Sequence, residues 1–295
     1  MPSELSGPGW FRGDCHVHSA FSDGELTPAQ LVDAARAIGL DFIAATDHNL
    51  AADSAAWLDN RSDDLIVILG EEVTTADGHW LVLGGDPAVR VVAHPHAPFA
   101  TGTFRRDYSD FDAIEVWNGL WTSERHWNAD NETALAEWAR GLAASLGDGS
   151  WPVATGNSDA HGEGQIGSPH TVVRACDRSA DAILRGIRSG RCWIASDAAV
   201  DLTFVASAGD RSAGIGQPLR AIGETVSMCA EVRGVPSGHV TIHTDRGVVH
   251  TADLPPDGAG TVEWRGEHIR PAFVRLEVRR PDGQMAALTN PIVVV

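Results

Sequence analysis

A chain of 295 residues is long enough for one large domain, or a large and a small one. With 43% apolar and 21% charged residues it has the balance of an ordinary globular protein. A net charge of −18 without a visible basic cluster argues against a large nucleic acid as partner, which would need a basic face. No apolar run approaches the roughly 20 residues of a membrane span, and the first nine residues lack the basic and apolar regions of a signal peptide. The expectation is a cytoplasmic protein without a membrane partner. Cys15, Cys176, Cys192 and Cys229 are scattered, with no CxxC pair, so neither a thiolate metal site nor a disulfide framework is implied.

In chain order, residues 10–17 read as a first strand that carries His16 and His18. Side chains at i and i+2 of a strand share a face, so both imidazoles aim at one point, as two ligands of one ion must. For a lone histidine, a buried and hydrogen-bonded ring would be the better reading. Ser22-Asp23-Gly24 signals a turn that brings a carboxylate close by. Thr27-Pro28 opens a helix, with Leu31, Ala34, Ala35 and Ile38 at helical spacing and Gly39 beyond its end. Residues 40–46 form a short apolar strand ending at Asp47-His48-Asn49, and residues 51–59 look helical. The third strand, 65–69, ends at Gly70-Glu71-Glu72, and another begins at His79-Trp80. Val89–Ala93 leads to His94-Pro95-His96, and Phe111–Trp117 leads to Asn118. A long helix covers about 123–145; Pro152–Gly156 leads to Asn157-Ser158-Asp159-Ala160-His161; a helix at about 179–189 and a strand at 191–195 follow.

Strand, polar cluster and helix recur, which argues for parallel strands with crossover helices and polar clusters on the C-terminal rim, where α/β barrels build their sites. The strands are unequal, so a distorted barrel is predicted. After about residue 198 the texture becomes apolar/polar alternation between Gly and Pro turns, the pattern of a small antiparallel β sandwich. The predicted division is 1–197 and 198–295. His16, His18, His48, His79, His94, His96, His161 and His170, together with Asp23, Glu72 and Asp159, form a set of nitrogen and oxygen donors suited to zinc, manganese or iron.

Gly13-Asp14-Cys15-His16-Val17-His18-Ser19, Ser22-Asp23-Gly24, Thr46-Asp47-His48-Asn49, Gly70–Thr75, Ala93-His94-Pro95 and Asn157–His161 resemble the motifs of the PHP (polymerase and histidinol phosphatase) family. More narrowly, the chain is similar to stand-alone PHP phosphoesterases and CehA/McbA-type metallohydrolases, from about residue 10 to 195. The resemblance implies a distorted (β/α)7 TIM-like barrel, α/β in class, with two or three divalent ions. Position by position, His16 and His18 would hold a first ion with Glu72 and Asp159, and Glu72 would bridge to a second held by His79 and His94. Asp23, His48 and His161 would hold a third, with Asp23 standing where some members have His and deciding between two and three ions. Glu71 is the fallback for Glu72, and Cys15 stands where the family often has Leu.

The implied function is a metal-dependent phosphoesterase releasing phosphate from a small phosphorylated metabolite, such as a nucleotide, by attack of a metal-bridging hydroxide. The alternatives are a carboxylic-ester or carbamate hydrolase on the same metals, and a metal-binding scaffold without turnover. Asp14 and Asp47 are candidates to orient an imidazole, and His96 and Asn118 to touch substrate. Arg105 and Arg106 could meet a phosphate, though an exposed loop arginine is the commoner case. Trp117, Trp121 and Trp127 cluster after a strand end; Trp117 suits packing, while Trp121 is open to a stacking role. The sequence leaves the oligomeric state open.

Overall fold

The computed structural model describes residues 8–50, 55–60, 62, 64–119, 126–145, 152–267 and 272–295. Strand β1 (Gly9–Asp14) runs into helix α1 (Pro28–Ala37). Thr27 caps this helix in a reciprocal box with Gln30, and Pro28 opens it. Leu31, Val32 and Ala35 are its buried face, and Gly39 follows at φ +78°, the left-handed conformation that ends helices. Strand β2 (Phe42–Ala45) is wholly buried, as a parallel strand between neighbours must be. Helix α2 (Ala55–Leu58) leads to β3 (Ile66–Thr75), β4 (Gly78–Leu83) and β5 (Val89–Val92). Strand β6 (Ala113–Asn118), helix α3 (Ala129–Ala144) and β7 (Val153–Asn157) follow, then β8 (His170–Ala175), α4 (Ala180–Arg188) and β9 (Cys192–Ala195).

The ladders depart from a uniform (β/α)7 barrel of parallel strands. β1, β2 and β3 are parallel to one another, as are β5, β6 and β7. Between these blocks β3–β4 and β4–β5 are antiparallel, and β8 and β9 return antiparallel beside β1. Strand β4 follows β3 after two residues, too few for a crossover helix. Among the described residues no ladder joins β7 to β8 or β9, and the circuit is bridged only past the strand ends, where Val17 pairs in parallel with Ala160. That seam is stitched otherwise. Gly156 donates its N–H to Thr171 Oγ1 at 3.1 Å, and His18 donates to the carbonyl of Ala160 at 2.9 Å. The Asn290 side chain meets both the N–H and the carbonyl of Ala154 at 2.8 Å and the carbonyl of Cys192 at 3.0 Å.

The remainder is β-rich. Strands β10 (Asp201–Ala208), β11 (Arg211–Gly214), β12 (Pro218–Leu219), β13 (Val226–Arg233), β14 (His239–Thr244) and β15 (Gly247–Asp253) come first. β16 (Gly260–Gly266), β17 (Ala272–Arg279), β18 (Met285–Thr289) and β19 (Ile292–Val294) complete the chain. One sheet runs β11-β10-β13-β16, and strict alternation along β10 and β13 sends Leu202, Phe204, Met228 and Val232 inward. They share a core with Val240, Ile242, Val274, Leu276 and Val278 of β14 and β17. The second sheet continues into the first region, because β18 pairs with β9 through Ala287–Ala195, Leu288–Ile194 and Thr289–Trp193. The described residues contain no helix long and apolar enough to cross a membrane.

Candidate metal centre

Past β1 the chain stays extended, and both expected histidines reach one point. Val17 donates its N–H to Thr46 Oγ1 at 2.9 Å and pairs with Ala160, so residues 16–18 are held between the ends of β2 and β7. The His16 and His18 rings are fully buried, with centroids 5.1 Å apart. Glu72 lies at the middle of the cluster. Its Oε1 accepts from His79 Nδ1 at 3.1 Å and His94 Nε2 at 3.0 Å. Its Oε2 lies 2.7 Å from His48 Nδ1, 3.4 Å from His18 Nε2 and 3.5 Å from His16 Nε2. Glu72 is inside β3 rather than at its end, and Glu71, one residue out of phase, falls on the other face.

Asp159 Oδ1 lies 3.0 Å from His18 Nε2 and 3.3 Å from His16 Nε2. Asp23 lies 3.3 Å from His48 Nε2, 3.4 Å from His161 Nε2 and 3.6 Å from His18 Nδ1. The carboxylate of Asp23 is half exposed, whereas Glu72 and the first two histidines are buried, so the cluster opens toward solvent on the Asp23 side. His94 and Asp159 have φ of 27° and 53°, sparsely populated for residues with a Cβ and costing about 1–3 kcal/mol each. The surrounding contacts hold that strain.

All nine residues expected as ligands therefore meet. Ligand-range groupings are His16-His18-Glu72, His16-His94-Asp159, His48-Glu72-His79 and His18-Asp23-His48-His161. The last adds His18 to the trio expected for the third ion. The donor chemistry fits divalent ions. Among the described residues, His16 Nε2, both His18 nitrogens, His79 Nε2, Glu72 Oε2 and Asp159 Oδ1 are buried without a hydrogen bond. Buried polar atoms are otherwise almost always satisfied, so a cluster of orphans facing one another is a metal-ligand signature.

The electrostatics match. Burial would lower His16, but Asp159, Glu115 and Glu72 outweigh it and hold the imidazole well above its ordinary range. Burial opposes ionisation of Glu72, yet His16, His48 and His79 hold its carboxyl well below. Burial likewise opposes Asp159, and His16 and His18 bring it down. His18, dominated by its own burial, is lowered.

Glu115 was not singled out by the sequence. This fully buried carboxylate accepts from His16 Nδ1 at 3.0 Å and Asn157 Nδ2 at 2.9 Å on one oxygen. On the other it accepts from the His94 N–H and Asn118 Nδ2, each at 3.0 Å. It fixes the His16 tautomer so that Nε2 faces the cluster. Thr74 Oγ1, 2.7 Å from His48 Nδ1, was missed as well.

Asp14 and Asp47 do not orient imidazoles. Asp14 accepts from the N–H groups of Gly167 at 2.7 Å, Ser158 at 3.1 Å and His16 at 3.3 Å, and burial raises its carboxyl to about 6. Asp47 collects Ser19, Ser22 and Trp57 Nε1, tying the turn before Asp23 to the end of β2. Both therefore brace the backbone on which ligands sit. Asn118 bridges Glu115 and Asp159 Oδ2, and its Oδ1 is buried without a partner. His96 is half-buried and held by Glu137 at 2.7 Å, with Tyr108 on the same oxygen. Arg105 binds the carbonyl of Ala76, and Arg106 lies over Trp80. Trp117 is buried edge-on against Trp127, as packing requires. His126 precedes α3, and Trp121 lies outside the described residues. His170 is buried behind the site, against Arg12 and the carbonyl of Gly167.

Residues 14–140 match the model of the PHP domain, and residues 153–192 match that of a PHP-associated segment. An uncharacterized protein of Methanocaldococcus jannaschii is 40% identical over 73 residues, and the chain spans only 34% of that relative's length. A two-domain protein from Bacteroides vulgatus, containing a predicted PHP-like metal-dependent phosphoesterase, superposes with a TM-score of 0.54. That match has 18% identity and covers 99% of this chain and 98% of the other. A proposed metal-dependent phosphoesterase from Bifidobacterium adolescentis is 19% identical over 52% of this chain and 90% of its own, with a TM-score of 0.41. With two adjoining family models covering more than half of its length and their histidine and carboxylate motifs gathered on one centre, the chain belongs to the PHP-domain family.

Proposed function

We propose that the chain is a metal-dependent hydrolase, and more narrowly a phosphoesterase acting on a small phosphorylated metabolite. The observation that carries this is the ring of buried, unpartnered donor atoms around Glu72. His16, His18, Glu72 and Asp159 would hold one zinc, manganese or iron ion, Glu72, His79 and His94 a second, and Asp23, His48 and His161, with His18 in reach, a third. When bound, such ions supply Lewis-acid stabilisation of developing charge and an activated water.

The protein's own part is placement. Glu115 holds His16 in register, Asn118 donates from Nδ2 to Glu115 and Asp159, and Asp14 and Asp47 brace the two ligand turns. The open Asp23 side admits the substrate, while His96, held by Glu137, lines a pocket with His94, Glu115 and Asn118. Residues 1–197 would form the hydrolytic unit and 198–295 an accessory module.

One observation favours a second reading, hydrolysis of a carboxylic ester or carbamate. Both loop arginines that could have met a phosphate are engaged elsewhere, Arg105 on a carbonyl and Arg106 on Trp80. The test is a panel of phosphomonoesters, phosphodiesters, nucleotides, aryl esters and carbamates, run on chelator-treated and metal-reloaded protein. Turnover of phosphate esters only after reloading supports the first reading. Turnover confined to aryl esters or carbamates replaces it with the second. Metal uptake with no turnover on any class would leave a metal-binding scaffold.

A further inference from the structure

All 22 basic residues of the chain are arginines, and five of them fall between positions 174 and 191 of a molecule whose net charge is −18. The structure gathers four of these in one cleft of about 450 Å³ between β8 and α4, formed by Arg174, Cys176, Arg185, Gly186, Arg188 and Arg191. The cleft is remote from the metal-ligand cluster. β8 runs antiparallel to β1, so Thr171 pairs with Gly13 near the ligands whereas Ala175 pairs with Gly9 at the far end. Gly186 lets the helix sit directly on β8, since a Cβ there would come within 2.5 Å of Val173 and 2.7 Å of the Arg174 carbonyl.

Arg188 is neutralised by Asp112 and bound to the carbonyls of Pro87 and Ala88. Arg174, Arg185 and Arg191 are exposed, and among the described residues none of them forms an ion pair. Arg174 lies against the ring of Trp10, and Arg185 has only a 3.9 Å approach to Cys176 Sγ. Asp177 accepts from Ser179 and from Cys176 Sγ, and lies near enough to Arg185 to feel its charge without forming an ion pair. Three guanidinium groups without an ion pair in one concavity on an acidic protein are a focused positive field, and guanidinium groups bind phosphoryl oxygens in a fixed, often bidentate fork. The surrounding negative charge disfavours a long polyanion, which would extend beyond the cleft, and leaves a compact one unopposed.

We propose that the β8–α4 cleft is a second ligand site, separate from the metal centre, that binds a small oligophosphate. Cys176 reports on it, being the exposed cysteine at the cleft, while Cys15 and Cys192 are buried. The experiment is site-resolved alkylation of the full chain by neutral iodoacetamide, read by mass spectrometry. It is run with inorganic pyrophosphate as probe at constant ionic strength, on metal-loaded and chelator-treated protein alike. The expected result is saturable protection of Cys176 in both forms, with the half-protecting concentration raised about tenfold for each arginine removed in Arg185→Gln and Arg191→Gln. Among the described residues the Arg191 side chain forms no hydrogen bond or ion pair, so the thermal unfolding of Arg191→Gln should match that of the native chain. Equal rates with and without pyrophosphate, or protection that sodium chloride reproduces or that both variants retain in full, would overturn the proposal. The outcome does not depend on whether the chain hydrolyses phosphate esters.

Discussion

Replacing Glu115 by Gln tests whether the buried cluster is built for metal. The carboxylate receives four N–H groups, two on each oxygen, from His16, Asn157, His94 and Asn118. A glutamine keeps the volume but offers one oxygen, so whichever way the amide turns, its NH2 confronts two donors. It also removes the negative charge behind His16, a partner that raises ligand basicity. Losing such a partner typically costs 10–100-fold in metal affinity, about 1.4–2.8 kcal/mol. Each buried hydrogen bond left unmade adds about 1–3 kcal/mol against the fold itself. E115Q should therefore bind zinc or manganese at least tenfold more weakly in competition with a chromophoric chelator at neutral pH. It should also unfold at a lower temperature when metal-free. A variant that folds and competes with the chelator as well as the native protein would refute the assignment of Glu115 as the brace of His16, and with it the reading of His16 as a ligand through Nε2.

Three further outcomes follow from the geometry. Burial, with Arg12 alongside, holds His170 at about 4, so the unfolded chain takes up its proton first. This contribution is complete above the ordinary histidine pKa near 6.5 and disappears as pH falls from there toward 4, a span of about 3 kcal/mol. H170Q should flatten the fall of thermal stability over that window, and an unchanged pH profile would contradict it. A Cβ at Gly24 would stand 2.2 Å from the His18 carbonyl oxygen, backbone that no rotamer change relieves, so G24A should lower metal stoichiometry measured by elemental analysis. Arg275, buried against Trp138, neutralises Glu277, and R275A should cost about 3–5 kcal/mol in denaturant unfolding by stranding that carboxylate. A loss below 1 kcal/mol would show that Arg279 and His243 compensate in full.

The candidate ligands were legible because polar side chains interrupt apolar strands at their ends, where a core residue would otherwise be expected, and His16-Val17-His18 obeys the two-residue period. Glu115 was not, since it sits mid-strand between Ile114 and Val116, and only the tertiary structure brings His16 and Asn157 to it. The distorted parallel barrel was inferred from the alternation of strands and helices, which does not fix the direction of each strand. The Asp77-Gly78 pair and the alternation through Glu71, Glu72 and Val73 do mark a hairpin, yet two adjacent glutamates look like a strand end until one of them is buried. Asp14 and Asp47 stand next to ligands in sequence, but adjacency along an extended chain sends neighbouring side chains in opposite directions.

Asn290 sets an order of events during synthesis. The seam between β7 and β9 is bridged by a side chain that lies 136 positions after Ala154 and 98 after Cys192. A ribosome translating this message releases every candidate ligand long before that amide emerges. The nascent metal-binding half therefore waits with an unsealed edge, and its last stitch is supplied by the opposite end of the polypeptide. Proteolytic nicking between the two halves during that interval would leave a fragment carrying all nine ligands with its backbone at Ala154 unclasped.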